Sequence, residues 1–176
     1  LPDLYFILER EEIIRMKRLV IIRHAKSMHE SYVSADVERH LAGRGYSDIE
    51  QSVDFLKGKK IHPDLIVTSP AIRAYSTALI VANRFGYAAD KLQLNSSIYD
   101  ASLNSLMYVV QGLDDNYKTV FLFGHNPGLT ELINALCGFT LANLPTSGVA
   151  LIEFPFNHWN EVDFESGSCL GVYSGK

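Results

Sequence analysis

The chain has 176 residues, 47 % of them apolar and 20 % charged, which provides for a folded core and excludes the depleted, highly charged make-up of a disordered chain. Its net charge of −4 and sequence pI near 5.8 exclude a generic polyanion binder, since nucleic-acid modules gather Lys and Arg and reach a pI above about 9. Two cysteines, Cys137 and Cys169, are too few for a disulfide framework, fit no familiar zinc spacing with the histidines, and are expected to stay reduced.

Residues 1–15 read as an N-terminal extension, with a short helix around Leu8–Arg15, ahead of a single domain over 16–176 that opens at Met16. The apolar stretch Leu4–Leu8 is too short for a signal-peptide core, and no apolar run approaches the roughly 20 residues of a bilayer span. The expectation is a cytoplasmic protein with no membrane or nucleic-acid partner. Arg15, Lys17 and Arg18 read as the solvated entrance to the first strand. That strand is Leu19–Ile22, a continuous β-branched apolar run of the kind covered on both faces of a sheet. Gly43, Arg44 and Gly45 follow no strand, so they make no phosphate-cradling P-loop; they precede a helix predicted over Asp48–Leu56, closed by Gly58.

Asp64–Thr68 is predicted as the second strand and Ala71–Phe85 as a helix, with Ser69 and Pro70 at its cap and first turn. A short strand at Leu92–Leu94, a helix over Leu103–Gln111, a strand at Thr119–Phe123 and a helix over Pro127–Leu136 stopped by Gly138 follow. Val149–Phe154 and Glu161–Phe164 read as an antiparallel pair at a sheet edge. The alternation implies an α/β three-layer sandwich, a mostly parallel sheet with helices on both faces and an antiparallel edge near the C-terminus. Ligands of such a sheet bind beyond the carboxyl ends of its strands.

Four chemistry-bearing residues fall at those ends. His24 follows the first strand and His125 the third strong one; Arg23 precedes His24, and Arg73 lies in the first turn of the helix after Ser69 and Pro70. Planar guanidinium forks donate two hydrogen bonds to a phosphoryl group, and an imidazole can attack phosphorus. Two of each at strand ends point to a phosphoryl pocket and away from dispersed surface ion pairs.

The segments RHAKS (Arg23–Ser27), SPAIRA (Ser69–Ala74, with Ser76, Thr77 and Ala78 after it) and GHNPGL (Gly124–Leu129) resemble, in order and spacing, those of the histidine phosphatase superfamily, which has the phosphoglycerate mutase-like fold. With PTSGVA (Pro145–Ala150), the chain resembles more narrowly the compact SixA-like phosphohistidine phosphatases, over residues 17 to 153. The resemblance implies a hydrolase in which His24 is the nucleophile, forming a phosphohistidine intermediate, while Arg23, Arg73 and His125 bind the transferred group. It implies no cofactor and no metal. His24 needs an unprotonated nitrogen, hence an acceptor for its other ring nitrogen that the sequence does not identify.

Other positions carry two readings each. Lys26 either binds phosphate or is solvated, with Ser27 beside it; Asn126 either donates to phosphate or caps the Pro127 helix. Asp100 is the candidate general acid for an ester leaving group, or a surface turn residue. The partner is a phosphorylated substrate, either a phosphohistidine protein, which has less need of an acid and which a short chain without an inserted lid favours, or a small phosphomonoester. The alternative is a non-catalytic phosphate-binding or interaction module with the same pocket.

Overall fold

A computed structural model describes residues 16–29 and 35–174; the expected N-terminal extension and the short helix predicted in it lie outside the described residues. Among the described residues, six strands form one sheet in the order β3-β2-β4-β1-β5-β6: β1 (Lys17–Arg23), β2 (Leu65–Thr68), β3 (Gln93–Leu94), β4 (Thr119–Gly124), β5 (Val149–Phe154) and β6 (Ser168–Tyr173). The pairs β1–β4, β4–β2 and β2–β3 are parallel, whereas β5 runs antiparallel to β1 and β6 antiparallel to β5. The fold is the expected α/β sandwich with its antiparallel edge.

Side-chain alternation in the central strand shows why helices cover both faces. Leu19 and Ile21 enter one apolar core with Leu106, Leu132 and Trp159, while Val20 and Ile22 enter the other with Ile49, Val53 and Val81. The first core is covered by α3 (Leu103–Gln111) and α4 (Gly128–Cys137), the second by α1 (Gly43–Gly58) and α2 (Ile72–Arg84). These four apolar residues of β1 are fully buried, each contributing roughly 1.5–3 kcal/mol. The strand end bearing Arg23 and His24 is thus anchored in fully buried core.

Three local expectations are corrected. The segment Glu161–Phe164 is not a strand: a 3-10 turn spans Trp159–Glu161, and the edge strand is β6. Trp159 and Val162 are drawn wholly into the core, the indole also donating to the Tyr117 carbonyl at 2.9 Å, so their apolar pattern reflects core anchoring. The edge strand is small and half-exposed, SCLGVY, and so lacks a strong apolar signature. Lys17 is not solvated; its ammonium donates to the carbonyls of Asp115 (2.6 Å) and Tyr117 (3.1 Å) beneath the Trp159 ring. Finally, α1 begins at Gly43 and includes both glycines. Gly45 is required there because a Cβ would lie 2.4 Å from the Lys26 carbonyl oxygen.

Candidate active site

Register brings the two histidines together. Arg23 of β1 is paired with Gly124 of β4, so the next residue of each strand, His24 and His125, leaves the sheet side by side, with ring centroids 5.2 Å apart. Arg73 lies in the first turn of α2, just after β2, and is buried. Arg23, His24, Arg73 and His125 line a cavity of about 610 Å³ that Lys26, Ser27, Asn126, Arg39 and Thr146 also border. The four residues expected to act together therefore share one cavity.

The acceptor required by His24 is the carbonyl of the next residue: Nδ1 lies 2.8 Å from the Ala25 oxygen. A carbonyl only accepts, so Nδ1 carries the hydrogen and Nε2 the lone pair. Burial, opposed by the Ala25 hydrogen bond and reinforced by Arg73 and Arg23, lowers the His24 pKa to about 4. Burial, then His24 and Arg73, lowers that of His125 to about 3. Both rings are neutral at pH 7, and His24 Nε2 holds its lone pair without a separate base.

The supporting contacts were legible only in part. Thr77, in the quoted motif, accepts the Ala25 N–H at 3.0 Å and donates to the Arg73 carbonyl at 2.6 Å, locking the loop that carries His24 to α2. Ser69 does not cap α2 through its hydroxyl, since the cap position is Ala71; its hydroxyl accepts weakly from the Ala71 N–H at 3.3 Å and lies 2.8 Å from His125 Nε2. Asp36 holds Arg73 and is hydrogen-bonded by Tyr99 at 3.0 Å, while Arg39 donates to Ser27 Oγ at 2.7 Å. Asp36 and Arg39 lie on and just after an isolated 3-10 turn, and no periodicity in the sequence singled them out.

Of the two-sided positions, Lys26 borders the cavity with an exposed side chain, and its carbonyl accepts the Ala42 N–H. Asn126 does not cap α4: Pro127 holds the cap position, while the Asn126 amide donates to Asn143 Oδ1 (2.7 Å) and the Leu144 carbonyl (2.9 Å) and its oxygen accepts from Thr130. Arg23 donates to that same Leu144 carbonyl at 2.8 Å. Asp100 is exposed, with φ of 48°, and is not among the residues lining the cavity. The structure does not bring it to the histidines.

The model of the histidine phosphatase superfamily (branch 1) matches residues 19–96. An uncharacterised chloroplastic protein of Arabidopsis thaliana is 26 % identical over 86 % of this chain and 72 % of its own, and an uncharacterised protein of Mycobacterium tuberculosis 25 % identical over 86 % and 98 %. Among solved structures, a SixA from Agrobacterium tumefaciens superposes with a TM-score of 0.76 at 22 % identity, over 89 % of this chain and 97 % of that one. The protein histidine phosphatase SixA complexed with tungstate superposes at 0.77 and 20 % identity, over 90 % and 97 %. These likenesses establish the phosphoglycerate mutase-like fold.

Proposed function

We propose that this chain is a phosphohydrolase of the histidine phosphatase superfamily, whose model matches residues 19–96, and that it removes phosphate from phosphohistidine in proteins by way of a phosphoryl group carried on His24. The observation that carries the reading is the His24 Nδ1 contact to Ala25, which leaves Nε2 as an unprotonated nitrogen in a cationic cavity.

In the first step His24 Nε2 attacks phosphorus as the bond to the leaving nitrogen breaks, and charge on the equatorial oxygens is met by Arg23, Arg73 and the neutral His125. Fixed donors of this kind are the main catalytic contribution in phosphoryl transfer. Water then cleaves the P–N bond, releasing inorganic phosphate and restoring His24. The protein supplies the nucleophile and the charge, so the reaction is proposed to need no metal.

Substrate choice follows from proton supply. An alkoxide leaving group requires a positioned acid. Among the described residues that line the cavity none is a carboxylic acid, and Asp36 beside it is held at about 2, which leaves it without a proton to give. An imidazole leaves more readily than an alkoxide and makes less demand on an acid. Asp100 as acid would require an approach to the cavity that this arrangement lacks.

The test is turnover of a phosphohistidine-bearing protein, of an alkyl phosphate and of p-nitrophenyl phosphate, all with chelator, by wild type and His24→Ala. Expected are chelator-resistant turnover favouring phosphohistidine and an acid-labile, base-stable phosphoenzyme absent from His24→Ala. Wild-type turnover no better than His24→Ala would overturn the enzyme reading and leave the non-catalytic binding module. Faster hydrolysis of alkyl esters than of phosphohistidine would overturn the substrate class.

A further inference from the structure

Resting on the phosphatase reading above, the geometry points to Ser69 as a positioning residue that keeps the hydrogen of His125 on Nδ1, so that this ring meets a phosphoryl oxygen as a donor. Ser69 is fully buried at the end of β2, where its N–H donates to the Phe123 carbonyl at 3.1 Å. A hydroxyl has one hydrogen and two acceptor positions. The Ala71 N–H takes one of the acceptor positions. Among the described residues, the acceptor in reach of the hydroxyl hydrogen is His125 Nε2, at 2.8 Å. Were Nε2 protonated instead, the serine hydrogen would be buried without an acceptor, an arrangement that folded proteins avoid.

The consequence falls on the other ring nitrogen. His125 is neutral at pH 7 and has a single hydrogen to place; with Nε2 accepting from Ser69, that hydrogen sits on Nδ1. His125 Nδ1 is buried and has no partner within the described protein, and the same holds for Arg23 Nε; both residues line the cavity. Two buried unpaired donors beside a nucleophile are what a phosphoryl oxygen satisfies, whereas a lone pair on Nδ1 would repel it. His24 and His125 then carry their hydrogen on the same atom and use it oppositely. In His24 the backbone takes the hydrogen and frees a nucleophile; in His125 the serine takes the lone pair and frees a donor.

The test uses the full chain labelled with 15N-histidine, with His125 assigned by comparison with His125→Gln. Long-range 1H–15N correlation at pH 7 should show wild-type His125 protonated on Nδ1, and Ser69→Ala should move the hydrogen wholly or partly to Nε2. Affinity for tungstate should fall about tenfold in Ser69→Ala, the worth of one hydrogen bond, and return in Ser69→Thr. Wild-type His125 protonated on Nε2, or a Ser69→Ala protein with unchanged tautomer, overturns the inference. The wild-type spectrum decides the matter even if Ser69→Ala fails to fold. Because these readouts need no turnover, a chain that shows the tautomer but forms no phosphoenzyme would sink the catalytic reading alone.

Discussion

Asp36 grips Arg73 at two points, accepting from one guanidinium nitrogen with its carboxylate (2.7 Å) and from the other with its backbone carbonyl (2.6 Å). The fork has five N–H donors, so this grip fixes its plane and leaves other donors for an oxyanion. Tyr99 extends the connection, since its hydroxyl donates to the same carboxylate and its ring packs edge-on against His125 at 5.6 Å. One exposed turn thereby braces two groups that line the cavity, Arg73 and His125.

The grip predicts a split between two substitutions. Asp36→Asn keeps an oxygen for Arg73 and Tyr99, and the backbone contact; Asp36→Ala keeps only the latter. With charge-assisted bonds worth about 1.5–3 kcal/mol, tungstate affinity should fall roughly tenfold or more in Asp36→Ala and less than about threefold in Asp36→Asn. Calorimetric titration measures both. Equal losses would mean that charge, not placement, is what Asp36 supplies.

Acid should destabilise the protein through its two pocket histidines. Their folded pKa values, about 4 and about 3, lie below the ordinary value near 6.5. Between those limits the unfolded chain therefore binds more protons than the native one. Stability rises with pH across that window, by up to roughly 1.4 kcal/mol per pH unit for each histidine, and this contribution is flat above about 6.5. The Asp36 carboxyl, which burial would raise but Arg73 and Tyr99 hold at about 2, adds a loss only as the pH drops below its ordinary 3.8. Urea denaturation from pH 4.5 to 7.5 should show a shallower slope in a His24→Asn, His125→Asn double variant than in wild type. An unchanged slope would place the acid sensitivity elsewhere.

What the sequence revealed depended on whether local chemistry or tertiary placement set the feature. Leu19–Ile22 and Thr119–Phe123 announce themselves because both faces are buried, and the strand-end positions of Arg23, His24 and His125 follow from them; Arg73 follows from β2 and the start of α2. Glu161–Phe164 misled because Trp159 and Val162 are apolar for the core's sake while β6, at the edge, has little to bury. Asp36 and Ser69 escaped in different ways. Asp36 meets Arg73 across 37 positions of sequence, a contact with no local signature. Ser69 stood in a legible motif, but its hydroxyl chose His125 over the helix end, a preference settled only once β2 and β4 lie side by side.

Thr77 supplies a test of what supports the proposed role of His24. Thr77→Val keeps the shape but deprives the buried Ala25 N–H of its acceptor, at a cost of about 1–3 kcal/mol. For a chain of this size that lowers the melting temperature by roughly 2–12 °C. Because Ala25 also takes the His24 hydrogen, phosphoenzyme formation should slow more than tungstate binding weakens, and Thr77→Ser should restore both. Parallel losses in rate and binding would reduce Thr77 to a structural role.

Gly43 and Gly45 open the same helix turn, yet they should respond oppositely to alanine. A Cβ on Gly45 would meet the Lys26 carbonyl oxygen at 2.4 Å, whereas a Cβ on Gly43 has nothing within 4 Å. Lys26 follows the Ala25 that orients His24, and its carbonyl is already held by the Ala42 N–H at 2.8 Å, so neither side of the contact has room to withdraw. Gly45→Ala should cost about 1–3 kcal/mol, as overpacking does, and displace the loop enough to slow phosphoenzyme formation. Gly43→Ala exchanges a flexible helix residue for a better helix former, worth up to about 1 kcal/mol in a helix interior and less at its first position, and should be neutral or mildly stabilising with unchanged turnover. Denaturation midpoints and single-turnover rates for the pair decide this, and an active, stable Gly45→Ala would show that α1 does not set the position of the His24 loop.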